Sequence, residues 1–512
     1  MVRVYCAEHV ATLLPNLAGK VQGVGEAGDR AVTNCCARVG GESHVLVVEL
    51  LFEFSDFHRL RHVVMAVCCV QQCAHGCEIS GVQWTEHITR HTADAIHWVE
   101  RTFPRLHSHP RGHRSGYCSQ DGGGPLLPER ETRGGVPLPL SRPPRRTVFA
   151  VEQLNELGFY GLPGAPRSPA DLLTECRDGE ALGFGSVFLS ERFNMKEAVT
   201  LSGAAAACTT SLGITTGVTN HNTRHPMVTA SYATTMHRLT GGRFALGLGR
   251  GMDRMFDAFG MPRITTAQME DFAGLMRRLW NGEMVVGHNG AAGSWPVLVL
   301  DPEYRDDIPL LMSAFGPQSL RLAGRAFDAV LLHTFFTDET LQRCVATVRS
   351  SAEQAGRDPA AVRVWSCFAV VGDWLPHDVR LKKTVGRMAT YLQAYGDLMV
   401  RTNNWDPAVL DRFRADPFVA GFRGALDAKA TTAELEHVAT LIPDEWLAPA
   451  ATGTPEQCAA AVLRQLDLGA DSVILHGAAP AELAPVVEAY RAIRPAGRFD
   501  HLAPNPGARL VR

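Results

Sequence analysis

The chain has 512 residues, a formal net charge of −3 at pH 7 and 46% hydrophobic residues. That length exceeds one ordinary domain, so two regions or one enlarged barrel are expected. The near-neutral balance argues against a nucleic-acid partner or an anionic membrane surface, and no run reaches the roughly 18 apolar residues of a membrane helix.

In chain order, residues 1–147 differ from the rest. Met1 to Lys20 has no continuous apolar core of signal-peptide type, so a cytoplasmic protein is expected. Eight of the thirteen cysteines lie before residue 150. Cys68, Cys69, Cys73, His75 and Cys77 crowd into ten residues without a second ligand pair at zinc spacing, so no metal site is assigned. From Ser119 to Arg146 the chain is rich in Gly, Pro and Arg and reads as a flexible linker. Residues 1–147 are therefore expected to be a low-order His/Cys-rich extension with a linker. The shift in composition also suggests a native start near Val148 or Val151, an idea that natural peptides from residues 1–140 would reject.

From Leu157 the pattern becomes regular. Short apolar runs predict strands at Phe159–Leu162, Gly185–Ser190, Leu212–Val218, Arg243–Leu248, Ile308–Ser313, Ala329–His333, Val362–Val371 and Ser472–His476. Helices are predicted between them. Pro169–Leu182 opens on Ser168 as cap, Lys196–Cys208 follows, and His225–Leu239 begins at a proline. Thr265–Trp280 carries Met269, Phe272, Leu275, Met276 and Leu279 on one face. Pro317–Ala326, Asp338–Ala355, Thr454–Leu468 and Ala481–Ile493 continue the alternation. Asn281–Asp307 reads as irregular, and a long helical region runs from Asp378 to Thr402, with more helix to about Trp446. Eight strands alternating with helices over about 350 residues predict a (β/α)8 TIM barrel with insertions over residues 148–505. A doubly wound open sheet is the rival. In both, ligands sit beyond the carboxyl ends of the strands. The five later cysteines, Cys176, Cys208, Cys344, Cys367 and Cys458, read as reduced core residues.

Three segments carry a resemblance. They are Gly183-Phe-Gly-Ser-Val-Phe-Leu-Ser-Glu-Arg192, then Gly217 to Pro226 with Leu239-Thr-Gly-Gly-Arg-Phe-Ala-Leu-Gly-Leu-Gly249, and Pro309-Leu-Leu-Met-Ser-Ala-Phe-Gly-Pro-Gln-Ser319 with its continuation to Gly324. In this order and spacing they resemble the luciferase-like flavin and deazaflavin oxidoreductases, in the branch that uses coenzyme F-420. The likeness runs from about Leu157 to Pro495. It implies a TIM-barrel oxidoreductase that exchanges hydride between F-420 and a small organic substrate. FMN is the alternative cofactor, and a monooxygenase of the same fold, or a protein that carries the cofactor without turnover, the alternative function. Family members often dimerise, so a homodimer is expected from the resemblance, although no periodic seam demonstrates it.

The resemblance also implies site residues. In this family the third strand ends in a bulge, often with a cis peptide, that presses on one face of the tricyclic ring; Gly217-Val218 stands there. Ser313, Ala314, Phe315, Gly316, Pro317, Gln318 and Ser319 correspond to the phosphate-side loop. Independently, small residues before Pro317 let the backbone approach an anion, and free amides of a first helical turn favour phosphate. Ser190, Asn220 and Gly249 complete the expected cofactor contacts, and Gly247-Leu-Gly-Arg-Gly251 lacks the glycine spacing of a dinucleotide fingerprint. Sugar-phosphate dehydrogenases of the family end the second strand in Ser-Asp-His and follow the fourth with a glutamate. Here Ser190-Glu191-Arg192 and Arg250 stand instead. Arginine is a poor proton shuttle but a good anion ligand, which favours a carbonyl or anionic substrate. Arg192 and Arg250 are expected to hold an anion, and His221 to face the pocket as a donor or acid. His333 and His476 end the sixth and eighth strands, where barrels place functional groups. Glu191 is expected to pair with Arg224 or Arg250. No residue set has catalytic metal spacing, and no Gly-x-Ser-x-Gly elbow occurs.

Overall fold

A computed structural model describes residues 151–508 and, before them, only the backbone of four short strands. Those strands form two antiparallel pairs, Ala37–Val39 with Glu42–His44 and Glu49–Asp56 with Arg59–Ala66. The Cys68–Cys77 cluster and the 119–146 linker lie outside the described residues. The chain divides into two units, Met1–Pro137 and Leu138–Arg512, and the second is a closed barrel.

Its eight strands are β1 (Leu154–Tyr160), β2 (Phe184–Leu189), β3 (Gly213–Thr216), β4 (Phe244–Leu248), β5 (Leu310–Ser313), β6 (Ala329–Leu331), β7 (Arg363–Gly372) and β8 (Ser472–His476). Each pairs in parallel with its chain neighbours, and β8 returns to β1 through Val473 opposite Leu157, Ile474 opposite Gly158 and Leu475 opposite Phe159. The ring is complete, which disposes of the open-sheet rival. Every strand residue of β2, β3, β4 and β7 is buried, as expected when both faces are covered.

Inside the barrel, Phe188, Leu311, Ala329, Leu331, Trp365, Cys367 and Ile474 form one cluster, with Tyr160 and Val218 packed above it. Phe188 and Trp365 meet edge to face at 4.8 Å between ring centroids. Gly158 makes room for them: a Cβ there would lie 2.8 Å from the Phe188 ring and 3.1 Å from that of Trp365. The lower mouth is sealed by the chain's own end. Arg363, fully buried, donates to the carbonyls of Ala503 (3.0 Å), Asn505 (2.9 Å) and Ala508 (3.3 Å). Trp365 Nε1 donates to Pro506 O at 2.7 Å, and Asn505 Nδ2 to Phe244 O at 2.8 Å. Among the described residues, the rim at the carboxyl ends of the strands is the open end of the barrel.

The outer helices follow the predicted alternation: α1 (Asp171–Ala181), α2 (Ala198–Cys208), α3 (Pro226–Leu239), α4 (Thr266–Trp280), α5 (Pro317–Ala326), α6 (Asp338–Gln354), α7 (Arg387–Asn403), α8 (Pro455–Asp467) and α9 (Pro480–Ile493). Thr265 and Gln268 close a capping box at the start of α4, as do Thr454 and Gln457 at α8.

Three local expectations change. The first strand begins five residues earlier than expected and ends at Tyr160; Leu162 already has a left-handed φ of 55°. Asn281–Asp307 is not irregular throughout, because Val285–Gly290 pairs with Gly293–Leu298 as a hairpin. Its mostly exposed residues lack the alternation that marks a half-buried strand. The region from His377 to Leu447 is a set of short helices around a separate core that includes Met388, Leu392, Phe413 and Trp446. No helix among the described residues is long and apolar enough to cross a membrane.

Candidate active site

A cleft of about 1930 Å³ opens at the carboxyl ends of the strands. It exceeds the roughly 300–1,000 Å³ of an ordinary ligand pocket.

One wall is built where β3 ends. The Gly217–Val218 peptide is cis. Gly217 N donates to Leu189 O at 2.7 Å, and Glu191 N to Val218 O at 3.0 Å, which ties the bulge to β2. Thr219 N donates to Gly247 O and Gly249 N to Thr219 O, each at 2.9 Å, tying it to β4. Behind the bulge, Gly249 is a close approach: a Cβ there would lie 2.3 Å from Val218 Cγ2 and 2.7 Å from Ser313 Oγ. Asn220 Nδ2 donates to Gly249 O at 2.8 Å and holds this contact.

A second wall is the loop Ser313 to Ser319. Gly316 stands at the N-cap of α5 without a side-chain cap, Pro317 occupies the first turn, and Gln318 is exposed. Ser319 Oγ accepts from Phe315 N at 3.1 Å and donates to Gly316 O at 2.9 Å, folding the loop into a cradle. Further out, Arg250, Arg254, Arg321, Arg343, Arg401, Arg414 and Arg423 line the cleft, and Asp253 is the single carboxylate among its lining residues. Arg414 is paired with Asp397 at 2.7 Å, and Arg250 Nε donates to Ile264 O at 2.8 Å, which leaves the rest of the Arg250 guanidinium over the opening.

The floor is polar and aromatic: Tyr160 from β1, His333 after β6, Cys367 from β7, Tyr391 and Tyr395 from α7, and His476 closing β8. His333 Nδ1 donates to Thr334 O at 3.0 Å, so its Nε2 accepts from Tyr395 Oη at 2.8 Å. Tyr160 meets His476 edge to face at 5.2 Å.

The expected residues are not all brought together. Gly217, Val218, Arg250 and the whole Ser313–Ser319 loop line one cleft. Asn220 and Gly249 stand behind its wall rather than on it. Ser190 is half-buried outside the lining set. Arg192 donates to Gly164 O and lies close to the guanidinium of Arg387; burial first, and that neighbour second, depress its pKa. Glu191 pairs with Arg224, at 3.0 Å, and not with Arg250; it also accepts from Thr219 Oγ1 at 2.8 Å and Ala198 N at 3.0 Å, and is a buried structural ion pair. His221 lies outside the lining residues, stacked on Phe272 at 5.1 Å, with Nε2 buried and unpartnered. The 285–298 hairpin packs on α4 through His288 and Asp271, at 3.1 Å. The 403–450 segment does line the cleft, with Phe413 and Phe422.

Sequence reasoning passed over Tyr160, Tyr391 and Tyr395. Tyr160 is interior to the expected strand Phe159–Leu162, whereas the strand ends with it. Arg387, Tyr391 and Tyr395 recur at four-residue spacing, a helical stripe that a functional reading could have used.

Burial holds His221 and His333 at about 4, below the ordinary 6.5. The unfolded chain takes up protons at both as the pH falls through 6.5, whereas the native state resists until about 4. Their contribution to stability is complete above about pH 6.5 and is lost between there and pH 4. The urea unfolding midpoint is expected to fall across that window; a flat midpoint would contradict the burial of both rings.

The family described as luciferase-like monooxygenase matches residues 154–472. Over 327 residues the chain is 27% identical to the 5,10-methylenetetrahydromethanopterin reductase of Methanolobus tindarius, covering 62% of this chain and 93% of that protein. Over 149 residues it is 35% identical to a phthiodiolone/phenolphthiodiolone dimycocerosates ketoreductase of Mycobacterium tuberculosis, covering 28% of this chain and 39% of the other. Its fold is similar to that of the coenzyme F420 dependent tetrahydromethanopterin reductase of Methanopyrus kandleri, with a TM-score of 0.55 and 18% identity over 66% of this chain and 99% of that one.

Proposed function

The chain belongs to the luciferase-like monooxygenase family, and from that premise we propose that it is an oxidoreductase that uses the deazaflavin coenzyme F-420 to transfer hydride to or from a small carbonyl or anionic substrate. The observation that carries the reading is the cleft's charge: seven arginines and one carboxylate on walls that also present a bulged strand end and an uncapped helix start. A flat ring with a long anionic tail fits that set better than FMN, whose single phosphate the helix start alone satisfies. The similarity to the Methanolobus reductase over nearly its whole length supports a reductase.

The residues fit such a group. Val218 and Gly217 offer a flat backing, and Gly249 keeps Val218 and Ser313 in place behind it. The Ala314–Ser319 loop and the first amides of α5 suit the phosphate. Arg321, Arg343 and Arg401 line the same cleft and are assigned to the anionic tail. When bound, the deazaflavin supplies the hydride carriage that no side chain can perform. Arg250 keeps free donors over the opening and Arg192 sits beside the floor; each is assigned to an anion of substrate or cofactor. The neutral His221, stacked away from the cleft, is given no proton to move.

The test is a fluorescence titration with F-420 and with FMN. F-420 is expected to bind at least about tenfold tighter, and its affinity to fall more steeply than that of FMN as salt rises, because more of its charge faces arginine across partly open walls. Tighter binding of FMN would overturn the choice of cofactor and favour an oxygen-using member of the same fold.

A further inference from the structure

The floor of the cleft contains two polar groups that the fold leaves unsatisfied. The Tyr160 hydroxyl has no hydrogen-bond partner among the described residues, and His476 Nδ1 is buried without one. Both residues line the cleft, next to each other, at the ends of adjacent strands β1 and β8. Every other polar group of the floor is committed. Tyr395 donates to His333, His333 to Thr334 O, the Cys367 thiol lies 3.2 Å from Thr334 Oγ1, and Tyr391 stands under the Arg387 guanidinium, 5.8 Å from its ring.

The charge around this pair is one-sided. Arg387, Arg192 and Lys383 act on His476. Arg387 is paired with Asp427 at 2.9 Å and Lys383 with Glu482 at 2.9 Å, whereas Arg192 has no carboxylate partner among the described residues and is held by Gly164 O. The balance of the floor is positive, and an anion placed beside Tyr160 gains from it.

We propose that this floor is an oxyanion subsite, in which the Tyr160 hydroxyl and the His476 imidazole receive the oxygen of a ketone or aldehyde substrate and Tyr160 supplies the proton that completes its reduction. The substrate class and the proton step rest on the hydride-transfer reading above; the subsite does not. In the reducing direction, the carbonyl carbon gains a C–H bond from the hydride of the reduced deazaflavin. The carbon–oxygen π pair becomes an oxygen lone pair, the Tyr160 O–H bond breaks, and its proton passes to that oxygen. The carbonyl is reduced to an alcohol and the cofactor is oxidised by the same two electrons. Water in the open cleft returns a proton to the phenolate. Burial raises the phenol well above its usual range, so it stands protonated before each turnover. Burial likewise holds His476 well below the usual imidazole range, so the ring is neutral at pH 7.

The experiment uses the full chain without cofactor and 4-nitrophenol as an optical oxyanion probe. At about pH 6 free nitrophenol is mostly protonated, and a donor-rich positive site draws the ionised form. Wild-type protein is expected to raise the yellow phenolate band on binding. Tyr160→Phe keeps the ring against Phe188 and His476 and is expected to weaken phenolate binding about tenfold or more, the loss of one hydrogen bond to a charged group. F-420 affinity of the same variant is expected to stay within about twofold, which also shows that it is folded. Binding of the neutral phenol, no binding, or unchanged phenolate affinity in Tyr160→Phe overturns the subsite. If phenolate binds as expected and F-420 does not bind, the subsite stands and the cofactor reading falls.

Discussion

Gly249→Ala is expected to lower cofactor affinity by more than about 100-fold while leaving the barrel folded. The added methyl would lie 2.3 Å from Val218 Cγ2 and 2.7 Å from Ser313 Oγ, well inside contact distance for both. Ser313 has a rotamer to turn to. Val218 does not, because its branched side chain packs down on the barrel-interior cluster. The bulge must therefore move toward the cleft, by on the order of 1 Å, a displacement that costs about a hundredfold in sites that depend on fit. Overpacking of this kind costs about 1–3 kcal/mol of stability, so the variant remains native at room temperature. Isothermal titration with F-420, beside a urea melt, checks both halves. Affinity within tenfold of wild type would mean that the ring does not lie against Val218, and the site would have to be placed elsewhere on the rim.

Arg363→Met is expected to cost about 3–5 kcal/mol of stability and to leave cofactor affinity in the folded protein nearly unchanged. The methionine fills much of the volume over the Trp365 ring, above which the guanidinium lies at 4.5 Å. It cannot replace the donors that bind Ser472 Oγ at 3.0 Å and the carbonyls of Asn155, Ala503, Asn505 and Ala508. Four carbonyls would then lack this partner, and the segment that seals the barrel would lose its main tie. The loss is confined to the amino-terminal ends of the strands, opposite the cleft, where barrels keep stability rather than chemistry. A change in the urea midpoint corresponding to less than about 1 kcal/mol would show that the remaining bonds of the tail, Trp365 to Pro506 and Asn505 to Phe244, are enough.

Much of the site was legible because strand ends are legible. An apolar run that stops at Gly217-Val218 and another that stops at Ser313 must, in a parallel barrel, deliver their next residues to the same rim. His333 and His476 were found by the same argument. What was not legible came from outside that rule. Tyr391 and Tyr395 belong to a helix of the segment between β7 and β8, and nothing local says that this helix turns its tyrosine stripe to the floor. His221 follows the rule and still misses the cleft, because a short turn at His221–Thr223 carries its ring onto Phe272. The hairpin at 285–298 escaped notice because both its strands are largely exposed, so no burial pattern was written into them.

By itself the sequence specified the alternation of elements and the end of the barrel at which ligands bind. These are local matters of periodicity, chain direction and residue chemistry. Tertiary structure alone decided which side chains keep unsatisfied donors and which arginines have carboxylates to answer them. Pairing partners come from segments far apart in the chain, as when Asn505 reaches Phe244 or Asp427 reaches Arg387. A residue is left free for a ligand only after the whole fold has claimed its neighbours.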